Sequence, residues 1–263
     1  MNKKLSGGQL VLVKITQKGF NPMPYVENIA PRVIKYIDFH ASAYLPEVTY
    51  TGVTSTAGLY LTLTRPNGSV QFVRDMPLER FDYVATLGIR QKIGSAISMR
   101  DSGIVCTDAS QIGKYAALVF WYDLPEYSER NTTKSLTTDS VTVTLISDTR
   151  YNQLPDLERL ISRRFRRILV AAPSTTPDFK TGVTAAQLPN LYLTLRRGSY
   201  NVLENIPMSM LVQLQQLEKC EIANIIFDMQ SSFITIGGAG TIPNVATDYV
   251  GKSVFFNLEY ENK

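Results

Sequence analysis

The chain has 263 residues, of which 44% are hydrophobic and only 19% are charged. Its 27 basic and 23 acidic residues give a net charge of +4, which is too mild for a dedicated nucleic-acid-binding protein. Two cysteines and one histidine argue against a disulfide framework, a multi-histidine metal site and a histidine-based catalytic triad. The low charge content favours a protein whose surface is partly covered by other copies of itself.

Short apolar runs rich in Val, Ile, Thr, Tyr and Phe follow one another along the whole chain, separated by Gly, Pro, Asn, Asp and Ser. This pattern is typical of an all-β protein. No run approaches the ~20 apolar residues that a membrane-spanning helix needs, and we expect no signal peptide. We predict strands over residues 10–16, 33–39, 58–64, 69–74, 116–123, 140–147, 167–172, 190–196, 222–228, 232–236 and 252–260.

The first motif, Leu5-Ser6-Gly7-Gly8-Gln9, has the letters of the signature motif of ATP-binding-cassette ATPases. That motif works beside a phosphate-binding GxxxxGK[ST] loop, which this sequence lacks. We therefore expect the motif to be a flexible N-terminal arm. The only histidine, His40, falls in an alternating strand and is expected to be structural.

A sequence pattern in the first half of the chain returns in the second half. Residues 51–54 and 181–184 both read TGVT, and residues 59–63 and 191–195 both read LYLTL. An internal repeat of about half the chain predicts two similar domains in tandem, over residues 1–125 and 139–263, with a polar linker over 126–138. Further matches join 10–16 to 141–147, 29–32 to 160–163, 75–78 to 205–208 and 119–121 to 254–256.

Each copy carries a turn and then a helix signal after LYLTL. Residues 65–69, with Asn67-Gly68, predict a hairpin turn, and residues 196–199 are the shorter counterpart. Asp75 and Asn205 then each precede a proline by two residues, which predicts N-caps of one short helix in each domain. About eight strands in each copy, with apolar first and last strands, favour a closed barrel or a two-sheet sandwich.

Acidic residues give two loose groups that have the oxygen ligands calcium prefers. Glu126, Glu129 and Asp139 form one group, and Asp101 and Asp108 form the other. Solvated loop carboxylates are the alternative interpretation, since nothing resembles an EF-hand. No carboxylate pair stands out as a general acid and base, and we predict that the protein is not an enzyme.

The one dense basic cluster consists of Arg163, Arg164, Arg166 and Arg167. It predicts contact with phosphates of lipid or nucleic acid, or with another membrane or protein partner. The alternative is a charged strand edge or salt bridges between subunits. The matching stretch of the first copy has only Arg32 and Lys35, so we expect the cluster to act in the second domain alone.

A tandem of equal all-β domains, a polar linker, short added helices and no catalytic set resemble the double jelly-roll major capsid proteins of tailless, membrane-containing icosahedral viruses. The layout is most similar to the corticovirus type of marine bacteriophage. The resemblance implies two eight-stranded jelly-roll barrels with a short helix in each, and homotrimers of pseudo-hexagonal outline that tile the virion shell.

The same resemblance implies the partners and the place of synthesis. Neighbouring capsomers and an internal viral membrane, or its proteins, are the expected partners, with no sequence-specific nucleic acid. Synthesis is expected in the host cytoplasm and assembly in the virion capsid. No cofactor is required, and structural calcium is an option. The alternative is a two-domain jelly-roll protein that binds glycans, forms a spike or cleaves glycans; a cupin-type enzyme would need a histidine cluster.

Overall fold

The computed structural model describes residues 4–47, 49–66, 70–82, 86, 91–124, 135–146, 151–161, 163–171, 180–217, 221–222, 225–238 and 248–261. The protein is all-β, as predicted, with several sheets. Among the helices that can be described, none is long and apolar enough to cross a membrane.

The regular elements are numbered here in chain order. The strands are β1 (Lys4–Leu5), β2 (Gly7–Lys14), β3 (Gly19–Pro22), β4 (Ile34–His40), β5 (Leu59–Thr64), β6 (Gln71–Pro77), β7 (Lys92–Ser95), β8 (Gly103–Cys106), β9 (Tyr115–Tyr122), β10 (Leu136–Thr144), β11 (Asn152–Gln153), β12 (Phe165–Ala171), β13 (Leu191–Arg197), β14 (Tyr200–Pro207), β15 (Glu221–Ile222), β16 (Asp228–Ile236) and β17 (Ser253–Glu261). The α-helix α1 spans Met208–Leu217, and 3-10 turns span Leu78–Phe81, Ala109–Gln111, Glu158–Leu160 and Leu188–Asn190.

The chain divides into two compact units. The N-terminal unit comprises residues 8–44 and 50–123, and the C-terminal unit comprises residues 1–7, 45–49 and 124–263. Most of the predicted linker lies outside the described residues, and its last three residues, 136–138, already belong to β10.

The N-terminal unit has four strands in each of two sheets. Its strands are neighbours in the order β2-β9-β4-β7 in one sheet and in the order β3-β8-β5-β6 in the other. β4 pairs antiparallel with both β9 and β7, and β5 pairs antiparallel with both β8 and β6. Counted along the eight described strands, the first lies beside the eighth and the second beside the seventh.

The C-terminal unit repeats this order. One sheet runs β10-β17-β12-β15 and the other β11-β16-β13-β14. β1 extends the first of these sheets by pairing parallel with β15. As in the N-terminal unit, the first strand of the eight lies beside the last, and the fourth lies between the fifth and the seventh.

The repeated LYLTL segments form β5 and β13 and supply the core of each unit. Because side chains alternate between the two faces of a strand, the leucines at alternate positions point the same way. Leu59, Leu61 and Leu63 are at most 1% exposed, as are Leu191, Leu193 and Leu195. The repeat is therefore a packing pattern as well as a sequence pattern.

A β-bulge lies next to each of these segments. Leu61 pairs with Met76 and Leu63 with Val73, so two residues of β6 lie opposite Thr62. In the C-terminal unit Leu193 pairs with Ile206 and Leu195 with Leu203, so two residues of β14 lie opposite Thr194. Both units thus have the same irregularity at the same place.

The predicted helix caps are wrong, because Asp75 and Asn205 lie inside β6 and β14, at these bulges. Their φ angles are 46° and 51°, a left-handed conformation that Asp and Asn tolerate better than most residues. The backbone N–H of Asp75 donates to Thr62 Oγ1 at 3.2 Å, and that of Asn205 donates to Thr194 Oγ1 at 3.0 Å. The threonine of LYLTL therefore satisfies the backbone group that the bulge frees.

Among the described residues, an α-helix follows the proline only in the C-terminal unit, where α1 begins at Met208. In the N-terminal unit the described residues form one 3-10 turn, Leu78–Phe81, and then an extended Asp82. Only Leu78 and Phe81 of this turn are buried, and a single turn is enough to bury two side chains three residues apart. The prediction of a helix in each domain is thus corrected for the part of this copy that is described; residues 83–85 and 87–90 lie outside it.

The N-terminal motif at residues 5–9 is not a flexible arm. Leu5 pairs with Ile222 and is 1% exposed, and Gly7 begins β2. Ser6 Oγ accepts a hydrogen bond of 2.9 Å from the backbone N–H of Leu124. Gly7 and Gly8 precede the apolar residues of β2 and form the start of that strand.

Two further strand predictions need correction. In the predicted strand 222–228, Ile222 belongs to β15, Ile225 forms an isolated bridge with Phe165 and Asp228 begins β16, whereas residues 223–224 lie outside the described residues. The predicted strands also do not include the eight-residue strand β14 or the short strands β1, β3, β7, β8 and β11. The hairpin turn after β13 is formed at Gly198, whose φ is +59°, whereas residues 67–69 of the first hairpin lie outside the described residues.

Candidate functional site

The basic cluster lies along β12 of the C-terminal unit and in the residues just before it. β12 pairs with the last strand, β17, whose C-terminal end carries Glu259 and Glu261. The cluster thus faces two carboxylates that are nearly a hundred residues away in sequence.

Arg163 packs against the tyrosine of the last strand. Its guanidinium carbon lies 5.5 Å from the ring centroid of Tyr260, a cation–π distance, and its Nε donates to the carbonyl oxygen of Arg159 at 3.0 Å. The N-terminal unit has the same arrangement, with Arg32 at 6.0 Å from the ring of Tyr122. This contact is therefore a repeated structural device.

Arg166 forms an ion pair that also has a counterpart. Its Nη2 lies 2.5 Å from Glu261 Oε1, and in the N-terminal unit Lys35 pairs with Asp123. In both units a register shift occurs at this cation, between Phe165 and Arg167 in one and around Lys35 in the other. A second repeated bulge thus carries a basic residue that neutralises the carboxylate after the last tyrosine.

Arg164 and Arg167 have no basic counterpart, because Val33 and Tyr36 occupy the matching positions. Arg167 Nε lies 3.7 Å from Glu259 Oε2 and its side chain is 40% exposed. Arg164 is half-buried. Arg163 and Arg166 thus have structural counterparts in the N-terminal unit, whereas Arg164 and Arg167 have none.

A fifth arginine, which sequence reasoning did not single out, completes this face. Arg159 Nη2 donates to Asp139 Oδ1 at 3.0 Å, and its Nε bonds the other carboxylate oxygen. This two-bond pairing holds the pKa of the Asp139 carboxyl below its usual value, although partial burial acts in the opposite direction. The signal in the sequence was weak, since the partners are 20 residues apart.

The carboxylates considered for calcium are engaged in local contacts. Asp139 pairs with Arg159, Asp108 accepts from the backbone N–H and hydroxyl of Ser110 at 2.9 and 2.8 Å, and Asp101 accepts from Ser98 Oγ at 2.6 Å. Glu126 and Glu129 lie outside the described residues. Within the described ranges no three His, Cys, Asp or Glu side chains lie close enough to hold a metal ion.

One buried polar pair distinguishes the N-terminal unit. Trp121 Nε1 donates to Asp38 Oδ2 at 2.6 Å, and both side chains are at most 1% exposed. His40, two residues along β4, is 6% exposed. These positions lie in the interior of the strand pair β4-β9, which fits the structural role expected for His40 and Trp121.

Comparisons with protein-family models, curated proteins and solved structures give no match to this chain.

Proposed function

We propose that this chain is the major capsid protein of an icosahedral virus, with two jelly rolls in each chain and three chains in each capsomer. The observation that carries the proposal is the repetition of one strand order in both units. On this proposal the protein is a structural component without catalytic activity. It is synthesised in the host cytoplasm and ends in the virion capsid.

The jelly-roll part of the proposal is supported by the neighbours of each strand. In both units one sheet contains the first, eighth, third and sixth strands, and the other contains the second, seventh, fourth and fifth. Eight strands connected as two Greek keys give this order in a jelly roll, a fold that viral capsid proteins use widely.

Two observations support the proposal of a trimer: the two similar units in each chain, and the large apolar side chains exposed on its surface. Two similar barrels in each of three chains place six similar units around a threefold axis, which gives a nearly hexagonal tile. Large apolar side chains are exposed on the single chain, including Tyr25 at 74% and Ile146 at 78%. Contacts between chains and between neighbouring capsomers would cover such side chains.

Light scattering of the purified protein tests this proposal. We expect a stable species of about three times the chain mass of 29.4 kDa, and electron micrographs of that species with threefold symmetry and a nearly hexagonal outline. A monomer that persists at high concentration and never forms larger shells would contradict it.

We further propose that the C-terminal unit contacts an internal viral membrane through the cations of its β12 face. Arg164 and Arg167 carry this proposal, because the N-terminal unit has no basic residue at their positions, whereas it repeats the contacts of Arg163 and Arg166. A basic residue near an anionic lipid surface contributes roughly 1 kcal/mol.

The double variant Arg164→Gln/Arg167→Gln tests this contact by flotation with vesicles of phosphatidylglycerol. We expect a weaker association whose difference from the wild type shrinks as salt is added, and an unchanged oligomer. The matched control is Arg74→Gln/Arg100→Gln, which removes two exposed arginines from the N-terminal unit. Equal loss of lipid binding in both variants, or loss of the oligomer in the first, would contradict the assignment.

A further inference from the structure

A polar pocket of about 160 Å³ lies on the outer face of the β16-β13-β14 sheet in the C-terminal unit. Arg196 of β13, Asn201 and Glu204 of β14, and Phe233 of β16 line it, and Tyr151 stands at its rim with 58% of its surface exposed. At ~30 Å³ for each water molecule, the volume equals about five waters, which suits one small polar ring.

The guanidinium of Arg196 is held in a fixed orientation. Its Nε donates to Asn201 Oδ1 at 2.9 Å, and its central carbon lies 5.1 Å from the centroid of the Phe233 ring. Its backbone N–H donates to Ser232 Oγ at 3.0 Å. The terminal N–H groups of this guanidinium have no partner in the described part of the chain, so they remain for a ligand.

Glu204 supplies the complementary acceptor. It is one of the two residues that the bulge places opposite Thr194, and bulges commonly redirect a side chain toward a site. Its carboxylate forms no ion pair or hydrogen bond with any described residue. A fixed donor and a free acceptor thus line the same pocket.

The aromatic wall is formed by Phe233 and Tyr151, whose rings meet edge to face at 4.7 Å. Phe233 is 8% exposed, whereas Tyr151 presents most of its ring to solvent. Such a wall can pack against the carbon-bound hydrogens of a ligand while the polar groups bind its oxygens.

The N-terminal unit shows that the fold does not require these residues. The backbone N–H of Thr64 donates to Ser102 Oγ at 3.0 Å, as that of Arg196 does to Ser232, so Thr64 matches Arg196 and Gly103 matches Phe233. Arg74 precedes Asp75 as Glu204 precedes Asn205. The same sheet is built with Thr, Gly and a charge of opposite sign, so the pocket chemistry is particular to the C-terminal unit.

We propose that this pocket binds a single sugar ring of a glycan. Sugar hydroxyls both donate and accept, so they need a carboxylate and a guanidinium or amide side by side, and the ring face needs an aromatic wall. A phosphate would be repelled by the Glu204 carboxylate, and an apolar ligand would leave the polar lining unpaired. The inference goes beyond the capsid proposal and does not depend on it.

Saturation-transfer NMR of the full chain with millimolar D-glucose, D-galactose, D-mannose and N-acetyl-D-glucosamine tests the proposal. We expect saturation of at least one of these sugars by the wild type. Arg196→Thr introduces the residue that the N-terminal unit tolerates at this position, and Glu204→Gln removes the carboxylate charge. Each should weaken binding by roughly tenfold or more, because a hydrogen-bonding partner in the pocket is lost.

The matched control is Arg65→Thr, since Arg65 also lies over a phenylalanine ring, 5.9 Å from the centroid of Phe72, but outside the pocket. It should bind sugar as the wild type does, and unchanged thermal melting of all three variants shows that they are folded. Glycine and L-serine form a further arm. The proposal would be overturned if none of the sugars were saturated, whether or not the amino acids were. It would also be overturned if both pocket variants bound sugar as well as the wild type does.

Discussion

The two units share their backbone irregularities and differ in the side chains placed on them. Each buries an asparagine whose Oδ1 accepts from the backbone five or six residues before it: Asn21 from Thr16 at 2.8 Å, and Asn152 from Ile146 at 3.0 Å. Each also has a left-handed glycine before its last strand, Gly113 and Gly251, with φ of +91° and +87°. These are features that the turns of the sheet require.

The shared ion pair shows how far side chains can diverge on one backbone. Arg166 and Glu261 have side chains that are 16% and 8% exposed, whereas those of Lys35 and Asp123 are 39% and 51% exposed. The more exposed pair contributes little to stability, because solvent screens it. The position of the ion pair is the same in both units, but its contribution to stability is not. Features without any counterpart are therefore the better guide to function.

The largest effect should come from the buried pair that only the N-terminal unit has. Asp38→Ala leaves Trp121 Nε1 without its acceptor inside the protein, and we expect it to lower the free energy of unfolding by roughly 3 kcal/mol. Hydrogen exchange should show faster exchange in β4 and β9, with β12 and β17 unchanged.

Asp38→Asn is the control for this change, because it removes the charge but keeps an amide oxygen that can accept from Trp121 Nε1. A smaller loss of protection in the same strands is expected. If the amides of β4 and β9 exchanged at the same rate in Asp38→Ala as in the wild type, the buried pair would not stabilise the N-terminal unit. The difference between the units would then not lie in this pair.

The repeated bulge gives the next largest effect, and it should be equal in the two units. Asp75→Val and Asn205→Val put a β-branched residue at φ of 46° and 51°, and each should cost about 1–2 kcal/mol. Urea unfolding followed by circular dichroism measures the loss.

Asp75→Asn and Asn205→Asp exchange the residues of the two units and retain a side chain that tolerates this conformation. Both should be close to neutral. A clear difference between the two valine variants would mean that the bulges are not equivalent in energy, although their hydrogen bonds match.

The sequence predicted the all-β class and the long apolar strands, because these depend on local alternation. It aligned LYLTL and residues 75–78 with 205–208 correctly, but it misplaced the last strands of the two copies. The hydrogen bonds of Gly113 and Gly251 to Ile15 and Leu145 are the same in both units, so the last strands match as Tyr122 with Tyr260, and not as Trp121 with Phe256. Apolar strands can slide along one another in an alignment without changing their pattern, whereas hydrogen bonds fix their register.

The candidate site was only partly predictable for a similar reason. Four arginines within five positions are visible in a sequence, but their partners Glu259, Glu261 and Tyr260 are set by strand pairing across the whole unit. At Asp75 and Asn205 the sequence predicts helix caps where the structure has bulges, because Asp and Asn favour both caps and left-handed backbone conformations. The pocket around Arg196 has no linear signal, since its residues come from three strands and two loops.

The smallest effect separates two aspartates whose pKa values are lowered for different reasons, one in each unit. The pKa of Asp139 is lowered first by its hydrogen bonds with Arg159, and that of Asp108 first by the backbone N–H of Ser110. A carboxyl with a lowered pKa stabilises the fold fully above the ordinary value of about 3.9 and loses this contribution as the pH falls through the lowered value.

Arg159→Gln should therefore raise the pKa of Asp139 toward its ordinary value and leave that of Asp108 unchanged, as followed by carboxyl-carbon NMR during an acid titration. Added salt should have the same unequal effect, because it screens the charge of Arg159 but does not remove a hydrogen bond from a backbone amide. If the variant left the pKa of Asp139 where it was, the pairing with Arg159 would be a contact without electrostatic consequence. The basic face of the C-terminal unit would then contain one more arginine free to meet an anionic partner.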